Sequence, residues 1–247
     1  AMALEKADGD LSDEITLTDE AIWDERFMDR SSTHIALDVG EVITVEQAAY
    51  ATMVQSANDA ANALGLYVSG TLEQFVIDVN LKLSEIGCSH THFVNPNGLP
   101  DEEHVTTAYD MALLAKEALQ NQQFREICSS TQRKVAFEEP AKQVSFTNHN
   151  KLLSLYPDCI GVKTGYTESA GRCLVSAAER DGVTLICVTL NDPNDWTDHA
   201  NLFDYGFSLI KEVKLTPDTD GMKLDVVGGE ANQVTVSAPE EVSVSFL

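Results

Sequence analysis

Two short clusters in this 247-residue sequence carry side chains of the kinds that do chemistry. Ser56-Ala57-Asn58 presents a hydroxyl and a carboxamide two residues apart. Lys163-Thr164-Gly165 presents an ammonium, a hydroxyl and a position with no side chain. These residue types move protons, donate hydrogen bonds and supply fixed charge in enzyme sites. Singly the motifs are weak. At average composition an S-x-N triplet occurs about once in a chain of this length, and K-T-G in roughly one chain in twenty. Ser56 alone reads as a helix cap with Asn58 opening the next turn. The remaining candidates are weaker. His90-Thr91-His92 is a loop pair without a third ligand and reads as structural, so no metal is expected. Cys88, Cys128, Cys159, Cys173 and Cys187 form no C-x-x-C pair, and an odd number at these spacings is no disulfide framework. Small buried thiols are the expectation for most of them.

The elements that must position these groups change character along the chain. In the first half helices dominate. Thr44-Val45-Glu46-Gln47 has the form of a capping box and opens a helical run to about residue 54. A second run covers 59–67, a third follows Thr71 and Gln74 until Gly87 ends it, and a fourth covers 108–119. The second half turns to strands at 134–137, 143–146, 160–166, 173–179 and 183–190, with Asp181-Gly182 as a tight hairpin turn. A helix over 196–210 is predicted to face Leu202, Phe203, Phe207 and Ile210 inward. Short alternating strands at 223–227, 233–236 and 242–246 read as the beginning of a small β-rich domain, giving expected boundaries of 1–210 and 211–247. A formal charge of -24 excludes nucleic acid and anionic lipid as partners. No run of about 18 apolar residues is present to span a membrane.

Taken together and in order, S-x-N and K-T-G match two parts of the S-x-x-K, S-D-N, K-T-G set of penicillin-recognising serine enzymes. The neighbouring sequence agrees: Gly40-Glu41 through Val45 to Ser56-Ala57-Asn58-Asp59-Ala60, then His92-Phe93-Val94-Asn95-Pro96-Asn97-Gly98-Leu99-Pro100 with Thr106-Thr107-Ala108-Tyr109-Asp110. Asn148-His149-Asn150-Lys151-Leu152-Leu153 and Gly161-Val162-Lys163-Thr164-Gly165-Tyr166-Thr167 complete it. The chain resembles the low-molecular-mass penicillin-binding serine D-Ala-D-Ala carboxypeptidases, peptidase family S11, over essentially its whole length. The resemblance implies an α/β (α+β) architecture of the β-lactamase/transpeptidase type. An antiparallel sheet is flanked by helices with a helical subdomain, and the β-rich tail resembles that family's base domain.

The resemblance also implies roles. Ser56 would relay a proton to the leaving amine. Asn58 would hold the substrate's amide carbonyl and orient a catalytic lysine. Lys163 and Thr164 would face the terminal carboxylate of a peptidoglycan stem peptide ending in D-Ala-D-Ala. Gly165 would let the substrate lie along the strand, and the backbone N–H of Tyr166 would donate to the oxyanion. His149 stands where several relatives carry a carboxylate-binding arginine, so it either makes a pH-dependent contact or merely packs. β-Lactam antibiotics are implied ligands, no cofactor is, and the place of action is extracytoplasmic, any membrane tether lying outside this chain. No S-x-x-K occupies the equivalent place in this sequence. Ser31, Ser32 and Ser69 lack the lysine three residues on. The motif is expected just before Ala1, so the chain as given is predicted inactive as a truncated enzyme. A pseudoenzyme that binds peptidoglycan, or completion by another polypeptide, are the other readings. A class A β-lactamase is disfavoured because no E-x-x-L-N pattern lies between the motifs.

Overall fold

Capping chemistry sets where the helices begin. A computed structural model describes residues 1–29, 31–137, 141–215, 223–227, 233–235 and 242–246. In chain order the elements are α1 (Met2–Ala7), β1 (Glu14–Thr16), α2 (Asp19–Trp23), β2 (Val42–Thr44), α3 (Val45–Gln55), α4 (Asn58–Ser69), α5 (Leu72–Glu85), α6 (Ala108–Ala118) and α7 (Gln122–Ser129). Then come β3 (Gln132–Phe137), β4 (Lys142–Thr147), α8 (Leu152–Leu155), β5 (Cys159–Thr167), β6 (Gly171–Arg180), β7 (Val183–Thr189) and α9 (Asp195–Leu209). The tail holds β8 (Lys211–Leu215), β9 (Lys223–Asp225), β10 (Gln233–Thr235) and β11 (Val242–Phe246). The Thr44 hydroxyl accepts from the Gln47 N–H while Gln47 Oε1 accepts from the Thr44 N–H at 2.7 Å, so the predicted capping box is complete. Thr71, Thr107 and Asn121 cap α5, α6 and α7 by single side-chain bonds.

The chain divides into two units, Ala1–Phe203 and Asp204–Leu247. In the second, β8 pairs with β11 and β9 with β10, both antiparallel. In the first, α3 and α4 form the centre of the helical layer. Their contact face is built of small residues, and Ala48, Ala51, Ala57, Ala60 and Ala63 are essentially inaccessible to solvent. Small side chains let the two helix backbones approach closely. Gly65 continues this towards α5, where an added Cβ would lie 3.1 Å from the Leu72 side chain. Around them Leu17, Ile43, Val54, Leu72, Ile127 and Phe146 complete the core.

The sheet is antiparallel in the order β5-β6-β7. Asp181 and Gly182 turn β6 into β7 with φ of 51° and 77°, as the sequence predicts for a primed hairpin turn. Five consecutive residues of β6, Leu174 to Ala178, are buried, so both faces of this central strand are covered. Val175 and Ala177 join the helical core, whereas Ser176 bonds to α9.

The face that α9 turns to the sheet differs from the predicted one. Leu202 is 49% exposed, and Phe207 and Ile210 are half-buried. Asp195, His199 and Phe203, spaced four apart on one stripe, are the buried residues. Two of these three are polar, so hydrophobic periodicity points elsewhere. Their partners explain the choice. His199 Nδ1 meets Ser176 Oγ at 2.5 Å and Nε2 meets Thr189 Oγ1 at 3.0 Å, so both ring nitrogens are satisfied without water. Asp195 accepts two bonds from Arg172 Nη2, at 2.6 and 2.8 Å.

Burial pushes His199 down to about 4, against the opposing pull of Asp195 and Asp192. A histidine whose folded value lies below its unfolded one adds stability above about pH 6.5 that is lost as pH falls towards 4, an effect of about 3 kcal/mol. Urea unfolding at pH 7.0 and pH 4.5 should show this loss, and His199→Gln should flatten it. An unchanged pH dependence in the variant would show that the destabilisation has another origin.

Candidate active site between the helical core and the sheet edge

Ser56 is the C-cap of α3, in the left-handed region with φ 60° and ψ 37°. That conformation is uncommon for a residue with a side chain and costs about 1 kcal/mol or more. The tight turn brings the Ser56 and Ala57 N–H groups both onto the Ala51 carbonyl. Ala57 is buried in the core, and its half-buried neighbours Ser56 and Asn58 flank it at the α3–α4 junction. The sequence reading of Ser56 as a helix cap is therefore correct locally, and the cap also has a distant partner.

That partner is Lys163. Its Nζ donates to Ser56 Oγ across a separation of 107 residues, and to its neighbour's carbonyl, Thr164 O, at 2.8 Å. The two motifs thus meet where the α3–α4 junction abuts β5. An ammonium has three protons. Two are committed inside the protein, which leaves one for a ligand. Burial pushes the Lys163 pKa down to about 8, since no carboxylate compensates the lost hydration.

Beyond Lys163 the strand opens outward. Thr164 is half-buried, Gly165 is exposed, and Tyr166 is 71% exposed. One long edge of β5 has no neighbouring strand among the described residues. An added Cβ at Gly165 would have only Cys173 Cβ near it, at 3.8 Å, so nothing inside the protein requires glycine there.

His149 sits on an exposed loop after β4. Asn148 and Asn150 hold this loop on either side. Asn148 Nδ2 donates to Ser130 O at 3.0 Å, Asn148 Oδ1 accepts from the Asn150 N–H at 2.9 Å, and Asn150 Oδ1 accepts from the Leu152 N–H at 3.1 Å. Partial shielding from water, followed by the Lys163 charge, holds the His149 pKa below its ordinary value. The imidazole is therefore neutral at pH 7 and lies within electrostatic reach of Lys163.

Sequence reasoning does not assign two residues that shape this site. Asp59, 1% exposed, follows Asn58 and accepts N–H bonds from Ile35, Leu37 and Ala60. Ser32 Oγ accepts from Asn58 Nδ2 at 2.7 Å. A carboxylate beginning a helix next to S-x-N is a visible cue for Asp59. Nothing local signals Ser32. Elsewhere the spelling S-x-x-K does occur, at Ser208-Leu209-Ile210-Lys211, but it follows K-T-G in the chain and its hydroxyl donates to Tyr205 O at 2.6 Å. Among the described residues no three His, Cys, Asp or Glu side chains converge as a metal-binding group.

Helices pack on an antiparallel sheet, and the S-x-N and K-T-G motifs meet at its edge. The chain belongs to the D-alanyl-D-alanine carboxypeptidase family, peptidase S11, whose profile matches residues 1–194. It is 30% identical to D-alanyl-D-alanine carboxypeptidase DacF of Bacillus subtilis over 93% of this chain and 60% of that protein. It is also 30% identical to DacB2 of Mycobacterium tuberculosis, over 80% of this chain and 69% of the relative. Among solved structures, the Streptomyces K15 DD-transpeptidase superposes with a TM-score of 0.75 at 27% identity, covering 84% of this chain and 85% of that one. The chain thus spans roughly three fifths of the length of the first of these relatives.

The resolved site predicts a distinctive titration. Nitrogen-detected NMR of the lysine side chains should place one midpoint near 8, removed by Lys163→Arg. A midpoint for Lys163 above 10 would show that its ammonium is solvated rather than enclosed.

Proposed function

We propose that the protein is a serine D-alanyl-D-alanine carboxypeptidase that removes the terminal D-Ala from peptidoglycan stem peptides. The observation that carries this reading is the Lys163–Ser56 hydrogen bond, which joins the two motifs at an open strand edge. This chain supplies the S-x-N and K-T-G groups. The nucleophilic serine and its activating lysine are proposed to act from an S-x-x-K segment N-terminal to Ala1.

In the proposed reaction the serine Oγ attacks the carbonyl of the penultimate residue, and charge collects on the carbonyl oxygen. The Tyr166 N–H is one donor to that oxyanion. The scissile C–N bond breaks as the leaving amine takes a proton, and water then splits the acyl-enzyme and restores the serine. Ser56 suits the proton relay, because its oxygen accepts from Lys163 and its own proton stays free to move. The remaining Lys163 proton and the Thr164 hydroxyl face the substrate's terminal carboxylate. Gly165 supports antiparallel docking, since its missing side chain answers no internal demand. His149, neutral at pH 7, adds no charge to the carboxylate grip there. β-Lactams are proposed ligands of the same groups, and peptidoglycan as substrate places the action outside the cytoplasmic membrane. Residues 1–210 are proposed as the catalytic domain and 211–247 as the beginning of a β-rich second domain.

The direct test is D-alanine release from an N-acylated peptide ending in D-Ala-D-Ala by the full-length protein, with covalent labelling by fluorescent penicillin. Lys163→Ala should lower both by about 10²-fold or more. Peptide binding should weaken as pH rises through about 8, because the free site then loses the Lys163 proton. His149→Ala should leave affinity unchanged at pH 7 and above. A loss of affinity at pH 7 would make His149 a binding residue. Absence of both activities with muropeptide binding intact would favour a binding module, and rapid benzylpenicillin turnover would favour a β-lactamase.

A further inference from the structure

Asn58 makes more contacts than its proposed role accounts for. Its Nδ2 donates to Ser32 Oγ at 2.7 Å, and Ser32 Oγ in turn donates to Asp29 O. A hydroxyl has a single proton. With that proton on Asp29 O, Ser32 can only accept from Asn58, and only the NH₂ end of the amide can donate. The hydroxyl therefore fixes which way the Asn58 amide faces. A side-chain amide reversed by 180° would set a carbonyl lone pair against another lone pair.

The loop bearing Ser32 is itself fastened to the same turn. The Asn58 N–H donates to Thr33 O at 2.9 Å. The buried Asp59 carboxylate accepts from the Ile35 and Leu37 N–H groups, both at 3.1 Å. Backbone and side chains of two adjacent residues, Asn58 and Asp59, thus hold residues 32–37, and Ser32 returns the contact to the one amide whose orientation matters.

We propose that Ser32 is a positioning residue that sets the rotamer and amide orientation of Asn58. The inference rests on the carboxypeptidase reading above. In it Asn58 must donate to the substrate's amide carbonyl from Nδ2 and accept from a catalytic ammonium at Oδ1. Ser32 takes one Nδ2 proton and leaves the other for substrate, with Oδ1 free for the lysine. No other orientation divides the amide's hydrogen-bonding capacity in this way while keeping the Ser32 contact.

The test uses the full-length protein with Ser32→Ala, Ser32→Thr, Asn58→Ala and the Ser32→Ala/Asn58→Ala pair. Ser32→Ala should slow acylation by fluorescent penicillin by about tenfold, through misplacement of a reacting-site group. Ser32→Thr, which keeps the hydroxyl, should restore the rate to within about threefold, and Ser32→Ala should add less than about twofold to Asn58→Ala. Ser32→Ala acylating within twofold of the parent, or an equal further loss on top of Asn58→Ala, would overturn the proposal. The Asn58 side-chain amide resonances give a readout independent of activity. One NH₂ proton should exchange slowly in the parent and lose that protection in Ser32→Ala. Unchanged protection would overturn the positioning role. Lost protection in a protein with neither acylation nor D-alanine release would sustain it and overturn only the carboxypeptidase reading.

Discussion

An enclosed ammonium with no carboxylate partner is the constraint on which the arrangement of this protein turns. Lys163 reaches out of the sheet, and the group that receives it is the hydroxyl of Ser56 at a helix junction. A carboxylate in that place would neutralise the lysine, raise its pKa and consume the charge that a ligand needs. A hydroxyl orients the ammonium and leaves its charge uncompensated. Maintaining that state requires the junction to be stiff. Ser56 in a left-handed conformation, Ala57 in the core and Asp59 clamped by three N–H groups together provide that stiffness.

The sheet is held to an equal standard from its other face. α9 docks through a histidine and an aspartate whose polar atoms are all answered by β6 and β7. Such a contact is directional, unlike an apolar ridge that can slide. The β3–β4 hairpin is tied to the start of α3 in a similar manner. Gln47 Nε2 donates to Ala136 O at 2.6 Å while its Oε1 completes the capping box, and Lys142 lies 2.9 Å from the buried Glu41 carboxylate. The loop that carries His149 follows β4 and is held by its own Asn148 and Asn150 bonds.

Much of this is legible in the sequence, and the exceptions share a cause. Thr44 with Gln47, the Asp181-Gly182 turn and the strands around Lys163 are local patterns, and each appears where its residues indicate. The family likeness groups Ser56, Asn58 and Lys163, of which Ser56 and Lys163 are in direct contact. Of the predicted inward face of α9 only Phe203 is fully buried, because His199 and Asp195 are polar and periodicity counts only apolar residues as buried. Ser32 gives no signal in the sequence because its partner is 26 residues away and the contact depends on a hydroxyl, a side chain common on any surface. Short α2 and α7 carry too few turns for a periodic signal. Local pattern thus reveals elements, whereas satisfaction of buried polar atoms emerges only in three dimensions.

The edge of β5 that lacks a neighbouring strand among the described residues carries a cost. A strand with unpaired backbone groups invites another copy of the same chain to add itself, which is the first step towards aggregation. If the edge takes an extended peptide, as proposed, a permanent neighbour cannot cover it. The charge of -24 offers a remedy that leaves the edge open. Repulsion between like-charged molecules keeps copies apart at long range, while a short peptide feels little of it. The negative charge, uninformative about chemistry at first sight, would then guard the open strand edge by isolating each molecule from its own kind.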